Sequence, residues 1–255
     1  MALLNEADAI YLGGAAVDAV YAGAEKVWPP FVPTIIAGLD IWLDASRVGL
    51  ADNTLMTEWP NSGSGLDPSI VDAGTGPYMK TNILNGLPVV QFHAGGGRVR
   101  GRRAVSSPTY TVIYVVRRRG PNLGRAFSSI YPAGNNYVLG FHANNQDWMY
   151  DNGNVNSGAA WGSWPGPWKM YGADAQGPLG GSYQPRFFLN GVLIGTHTAG
   201  TGLGFKDLYA LSGYEDATAG ETMDCDVAEL LIYDTKLSDA NRILCEEYLR
   251  AKWGI

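Results

Sequence analysis

The sequence predicts an all-β chain, a sandwich of two antiparallel sheets closed by a single C-terminal helix. Three observations predict it. Short runs rich in Val, Ile, Tyr, Phe and Trp alternate with Gly, Asn, Pro and Ser punctuation from Ile35 onward. Glycine is abundant, at 34 residues of 255, as many tight turns require. Only one stretch, at the far end, has helical spacing bounded by cap residues.

The first 30 residues stand apart. Tyr11-Leu12-Gly13-Gly14-Ala15-Ala16-Val17 is repeated ten residues later as Tyr21-Ala22-Gly23-Ala24-Glu25-Lys26-Val27, and Trp28-Pro29-Pro30 follows. A unit this small cannot bury enough apolar surface to offset its ordering entropy. It is expected to pack on the body of the chain, on further copies or on a larger assembly, through Tyr11, Val17, Tyr21, Val27 and Trp28. Residues 31–37, with Pro33, read as a stiff connector, and 38–255 as the sandwich.

Within the sandwich, Leu87–His93, Tyr110–Val116, Tyr137–His142, Arg186–Leu189, Val192–Thr196, Leu208–Ser212 and Asp226–Asp234 are the expected strands. Asn190-Gly191 between two apolar runs is a type I′ hairpin signal, since both turn positions need positive φ. Ser238 is placed to N-cap the helix, with Asp239 in its first turn, and Gly254 to end it. Ile243, Leu244, Tyr248 and Ala251 form its expected apolar stripe. Residues 148–171, broken by Gly162, Pro165, Gly166 and Pro167, read mainly as loop.

Composition narrows the function. The net charge is −6, so nucleic acid and acidic membranes are not expected partners. No apolar run is long enough to span a bilayer, so no membrane insertion is expected. The acidic N-terminus, with Glu6 and Asp8, does not read as a secretory signal, so synthesis and retention in a cytoplasm are expected. Cys225 and Cys245 alone make neither a disulfide framework nor a four-ligand zinc site and are expected as buried thiols.

Three stretches carry a family resemblance. Gly38-Leu39-Asp40-Ile41-Trp42-Leu43-Asp44-Ala45-Ser46, Phe187-Phe188-Leu189-Asn190-Gly191-Val192, and Glu229-Leu230-Leu231-Ile232-Tyr233-Asp234 with the tail Tyr248–Ile255 resemble the opening strand, central hairpin and closing strand-helix of concanavalin A-like lectin/glucanase (laminin-G-like) domains. The resemblance implies a jelly-roll sandwich. The N-terminal repeat resembles the heads of minor tail and fibre-like virion proteins of tailed bacteriophages. Together these imply a virion component docked by its N-terminus and displaying a lectin-like domain to a host-surface glycan. They also imply other virion proteins as partners and a homo-oligomer, by analogy a trimer. A capsid or tail decoration protein without sugar binding is one alternative, and a glycoside hydrolase using Asp224, Asp226 and Glu229 is the second.

Several side-chain sets carry candidate chemistry. Trp148, Tyr150, Trp161, Trp164 and Trp168, interspersed with Asn144, Asn145, Gln146, Asn152, Asn154 and Asn156, join flat apolar rings to amides. That combination suits the C–H faces and hydroxyls of sugars, or a protein interface. Arg98, Arg100, Arg102, Arg117 and Arg119, with Arg103, Arg118 and Arg125 nearby, concentrate basic charge in an acidic chain. They are the candidate contact for an anionic partner, or else a solvated rim. Asp224, Asp226 and Glu229 resemble the carboxylate strand of laminarinase-type glucanases, but a regular strand would turn Glu229 away from the other two, so a bulge would be needed. A non-enzyme is expected. His93, His142 and His197 lack metal-ligand spacing, and no cofactor is expected. Calcium on Asp40, Asp44, Asp224 and Asp226 is conceivable by resemblance, although no calcium-loop signature is present.

Overall fold

A computed structural model describes the chain except for 1–10, 13–14, 17–19, 23–24, 29–30, 72–74, 105–106, 122–123, 132–134, 143–145, 152, 161–163, 178–181, 199–204, 206 and 214–220. It divides into two compact units, Met1–Ile35 and Ile36–Ile255.

In the first unit β1 (Tyr11–Leu12) pairs antiparallel with β2 (Ala15–Ala16), and β3 (Val20–Ala22) with β4 (Glu25–Trp28). Each copy of the repeat is thus one short ladder. Val17, and the side chains of Tyr11, Tyr21, Val27 and Trp28, lie outside the described residues.

The second unit is a two-sheet antiparallel sandwich. Its strands are β5 (Leu39–Asp44), β6 (Ser69–Val71), β7 (Tyr78–Leu84), β8 (Leu87–Phe92), β9 (Arg98–Arg102), β10 (Tyr110–Arg118), β11 (Phe127–Tyr131), β12 (Asn135–Gly140), β13 (Gln146–Asp151), β14 (Asn154–Ala160), β15 (Lys169–Ala175), β16 (Arg186–Leu189), β17 (Val192–Thr196), β18 (Leu208–Leu211) and β19 (Cys225–Tyr233). One sheet runs β17-β16-β15-β10-β19-β8-β7, with β5 also paired to β19; the other runs β14-β13-β12-β11-β18-β9-β6. All seven expected strands are present with small shifts at their ends. The expected loop of 148–171 is mostly strand, comprising parts of β13 and β15 and all of β14.

Between the sheets lies an aromatic core of Tyr110, Tyr114, Phe127, Tyr137, Phe205 and Tyr209, all inaccessible to water. Phe127 stacks on Tyr209 with centroids 6.2 Å apart and meets Phe205 edge-on at 5.6 Å. Such pairs add to the burial of the rings themselves.

The central strand β19 is buried along its whole length. Glu229 stands opposite Val115 and Val227 opposite Val116, so Ala228 is an extra residue, a β-bulge. The bulge returns Asp226 and Glu229 to the same outer face of the eight-stranded sheet.

The hairpin at Asn190-Gly191 has φ of 51° and 80°, as a type I′ turn requires. A Cβ at Gly191 would also displace the tips of the Arg250 and Glu246 side chains.

The helix α1 (Asp239–Trp253) is capped by Ser238, whose Oγ accepts from Asn241 N, and ends at Gly254 with φ 67°. Its buried face is Arg242, Cys245, Glu246, Leu249 and Trp253. The expected stripe is therefore shifted, and Ile243 and Leu244 are exposed. The shift follows from what the sheet offers. Phe188 receives the Arg242 guanidinium at 4.0 Å, Tyr233 Oη meets Cys245 Sγ at 3.3 Å, and Glu229 anchors the last turn. Glu229 accepts from Trp42 Nε1 at 2.7 Å, Tyr248 Oη at 2.9 Å, Lys252 Nζ at 2.7 Å and Trp253 Nε1 at 2.8 Å. Burial raises its carboxyl above the usual range, and nearby Asp44 pushes the same way.

Candidate functional site

The site begins with the alternation of β13, Gln146-Asp147-Trp148-Met149-Tyr150-Asp151, whose even-numbered residues are partly exposed and odd-numbered ones buried. Two acids point inward and two aromatics outward, the reverse of a simple hydrophobic pattern. The inward acids are paid for by the facing sheet. Asp151 accepts from Tyr110 Oη at 2.9 Å and Tyr183 Oη at 2.6 Å. Asp147 accepts from Lys169 Nζ at 2.8 and 2.9 Å and from Tyr171 Oη. Tyr114 Oη donates to the Leu139 carbonyl at 2.5 Å. Buried polar groups need such partners, and together these cross-links fix which residues of β12 and β13 face the core. Burial raises the Asp151 carboxyl above its ordinary value, with the two tyrosine hydrogen bonds opposing.

Once that register is fixed, Trp148 and Tyr150 must face outward. Their rings lie 6.1 Å apart. Trp148 stacks nearly parallel on His142, with centroids 5.9 Å apart and planes 16° apart. Across the edge strand β14, Asn156 stands opposite Trp148 and Asn154 opposite Tyr150, and both asparagines are exposed. His142 Nδ1 is 3.7 Å from Glu221 Oε2, and the same oxygen accepts from Arg125 Nε. Arg125 also donates to Asn136 Oδ1. The result is a ledge of two partly exposed rings, bordered by amides on one side and by a His–Glu–Arg group on the other. Trp148 Nε1 is buried and has no hydrogen-bond partner among the described residues.

Trp164 and Trp168 are not on this ledge. Each packs on an arginine of β10 or its neighbourhood: the Arg118 guanidinium lies 3.9 Å over the Trp164 ring and that of Arg117 4.8 Å over Trp168. Trp161, Asn144, Asn145 and Asn152 lie outside the described residues.

The five arginines proposed for an anionic partner do not form one surface. Arg98, Arg100 and Arg102 are on β9 of the seven-stranded sheet, and Arg117 is on β10 of the other. Arg98 is 1% exposed, so its head group does not present to a partner, and the alternative of a solvated rim fails equally for Arg98, Arg103, Arg118 and Arg125, none above 2%. Arg117 is committed to Asp226 through Nε at 3.1 Å and Nη2 at 2.5 Å, and Arg119 Nε lies 3.6 Å from the same carboxylate. A buried carboxylate thus holds the head groups of two of the arginines against the outer face of the sheet. Arg100 and Arg102 line a cleft of about 420 Å³ with Leu66, Asp67, Ser69 and Leu208. The Arg102 side chain is 62% exposed and 3.8 Å from Asp207.

The bulge required for a glucanase-like carboxylate set is present, but the carboxylates are spent on the fold. Asp226 and Glu229 are both inaccessible to water. Asp226 accepts from Arg117 and Gln91, and Glu229 from the four donors under α1. Asp224 accepts from Ala94 N at 2.9 Å. Neither Asp226 nor Glu229 offers an oxygen to a substrate, so the hydrolase alternative is corrected on these residues. Asp44 is engaged by Lys252 Nζ at 2.6 Å, and the four aspartates considered for calcium do not converge. Among the described residues no group of three or more His, Cys, Asp or Glu is placed to hold a metal ion. Cys225 and Cys245 are free, buried thiols.

β13 is one of several strands the sequence reasoning missed, with β6, β7, β9, β11, β14 and β15. Its signal was the spacing Asp147, Met149, Asp151, legible only if the tyrosines of another strand are known to receive the acids.

No protein-family model matches the chain, and no curated protein matches it. Solved structures do. The receptor-binding domain of botulinum neurotoxin mosaic serotype C/D superposes with a TM-score of 0.55 at 11% identity, over 83% of this chain and 51% of that one. The binding domain of botulinum neurotoxin serotype D gives 0.54 at 10%, again over 83% and 51%. A Trypanosoma rangeli sialidase gives 0.54 at 14%, over 98% of this chain and 37% of its own. The chain spans about half the length of the neurotoxin domains it matches. At these identities the likeness is one of fold, and it places the chain among antiparallel two-sheet β-sandwiches with a C-terminal helix.

Proposed function

We propose that the chain is a glycan-recognition sandwich whose contact surface is the Trp148–Tyr150 ledge, displayed on a bacteriophage virion and held there by its N-terminal unit. One observation carries the recognition: the core tyrosines pin Asp147 and Asp151 inward and so hold two aromatic rings outward, beside the exposed amides of Asn154 and Asn156. Rigid rings set beside amides bind a sugar through its C–H face and its hydroxyls at little entropic cost. The named neighbours, a binding domain, a receptor-binding domain and a sialidase, support a binding role for this sandwich.

The virion role rests on residues 1–30. Ladders of two to four residues do not stand alone in water, so these invite strands from further copies of the chain or from other virion proteins. A trimer is the assembly proposed.

A glycan array probed with the intact chain and with Trp148→Ala/Tyr150→Ala tests the recognition. The expected result is a defined set of hits that weaken at least tenfold in the variant, about 1.4 kcal/mol, while its melting curve stays cooperative. No hits with the intact chain would instead favour a decoration protein. Mass spectrometry of purified particles tests the location, and absence of the chain there would refute it.

A further inference from the structure

We infer that the outer face of the eight-stranded sheet carries a second saccharide site, for a neutral oligosaccharide lying across the strands between Tyr78 and Trp168. It shares the ligand class of the proposed function but none of the residues of the ledge, which belongs to the opposite sheet.

Four neighbouring strands supply a continuous row. Tyr78 of β7 stands opposite Gln91 of β8, Gln91 opposite Asp226 of β19, and Asp226 opposite Arg117 of β10. The bulge at Ala228 is what leaves Asp226 on the same outer face as Glu229, rather than the opposite one. Three of the side chains are already joined: Gln91 Nε2 donates to Asp226 Oδ1 at 3.0 Å, and Arg117 donates to Oδ2 through two nitrogens. Side chains joined in this way hold one another in place, so the remaining N–H donors and the amide oxygen are presented in set directions.

Aromatic rings close both ends. Tyr78 meets His93 edge-on at 5.8 Å, and Trp168 is stacked on Arg117 at 4.8 Å. From Tyr78 to Arg117 is three strand spacings, about 14 Å, the length of an oligosaccharide rather than a single ring. Trp168 also lines a cleft of about 300 Å³, together with Leu84, Met170, Asn190, Arg250 and Ile255.

The charges select the ligand. Arg117 and Arg119 are balanced by Asp226 and by Asp224, which lies 3.9 Å from His93. Burial pulls the His93 pKa down, with Arg119 pushing the same way and Asp224 and Asp226 opposing. A face with compensated charge, oriented donors and aromatic ends matches an uncharged polyhydroxyl chain better than an acidic one.

Isothermal titration of the full chain with maltohexaose, cellohexaose, laminarihexaose and chitohexaose tests this, with oligogalacturonate as the acidic counter-probe. In the Trp148→Ala/Tyr150→Ala background, at least one neutral hexasaccharide is expected to bind at one per chain. Adding Trp168→Ala, or separately Tyr78→Ala, is expected to weaken that binding at least tenfold, with melting temperatures confirming that each variant folds. The second site is overturned if the ledge variant binds none of the neutral probes. It is equally overturned if its binding ignores both Trp168→Ala and Tyr78→Ala, or if only oligogalacturonate binds. Failure of the ledge reading looks different: the ledge variant would then keep all of the wild-type binding, and Trp168→Ala alone would remove it.

Discussion

Two regions of this molecule are built from the same materials and do opposite things. Under α1, Trp42, Trp253, Tyr248 and Lys252 surround Glu229, and both indole N–H groups are hydrogen-bonded to its carboxylate. On the ledge, Trp148 and Tyr150 sit beside His142, Glu221 and Arg125, the rings are partly exposed, and Trp148 Nε1 is unpartnered among the described residues. The closed cluster spends its polar capacity on itself and so holds the helix to the sheet. The open one leaves its two rings partly exposed, which is what the proposed recognition builds on. Aromatic richness alone therefore does not distinguish the two regions; the exposure of the rings does.

The sharpest break of this contrast is Glu229→Ala. It strands two buried indole N–H groups and takes from Lys252 one of its two carboxylates, Asp44 being the other, and the expected loss is about 3–5 kcal/mol, the usual cost of removing one partner of a buried ion pair. Urea unfolding followed by far-UV circular dichroism would show it. A loss below about 1 kcal/mol would mean the cluster is not what docks the helix.

Asp151→Asn is the next largest. The amide oxygen still accepts from one tyrosine, so the cost is about 1–2 kcal/mol. Its pH signature is more informative. Because burial raises the Asp151 pKa, the folded protein binds more protons than the unfolded chain between the ordinary value of 3.8 and the raised one. Asp151 therefore makes stability fall as pH rises through that window. Melting temperatures measured from pH 4 to 7 are expected to lose this component in Asp151→Asn; an unchanged profile would contradict it.

Ser238→Ala removes the N-cap of α1 and is expected to cost about 1 kcal/mol, measured by the same unfolding curves. Trp148→Ala comes last, at about 1 kcal/mol or less, since relief of an unpartnered buried N–H offsets part of the lost packing. A large destabilisation there would move the ledge into the same class as the Glu229 cluster.

Much of the fold was legible because its signals are local. Asn190-Gly191 names its own turn, the Tyr110–Val116 run has no other good conformation, and Ser238 and Gly254 bracket the helix. What was hidden depends on contacts far apart in sequence. β13 reads as polar because its inward acids are satisfied by Tyr110, Tyr171 and Tyr183, 24 to 41 positions away. The helix shows Ile243 and Leu244 to water because its best packing partners, Phe188 and Glu229, favour Arg242 and Trp253. The arginines looked like one patch because they are close in sequence, yet β9 and β10 belong to different sheets.

The extra residue at Ala228 shifts the strand's phase by one position. Without it, one strand could not send Glu229 to the helix and Asp226 to the arginines on the same side; one of those acids would be driven among the core aromatics, and its partners would be left behind. Deleting that single alanine should accordingly harm this protein more than replacing it by almost any other residue. In this chain the length of the strand at that point, rather than its sequence pattern, decides which acids share a face.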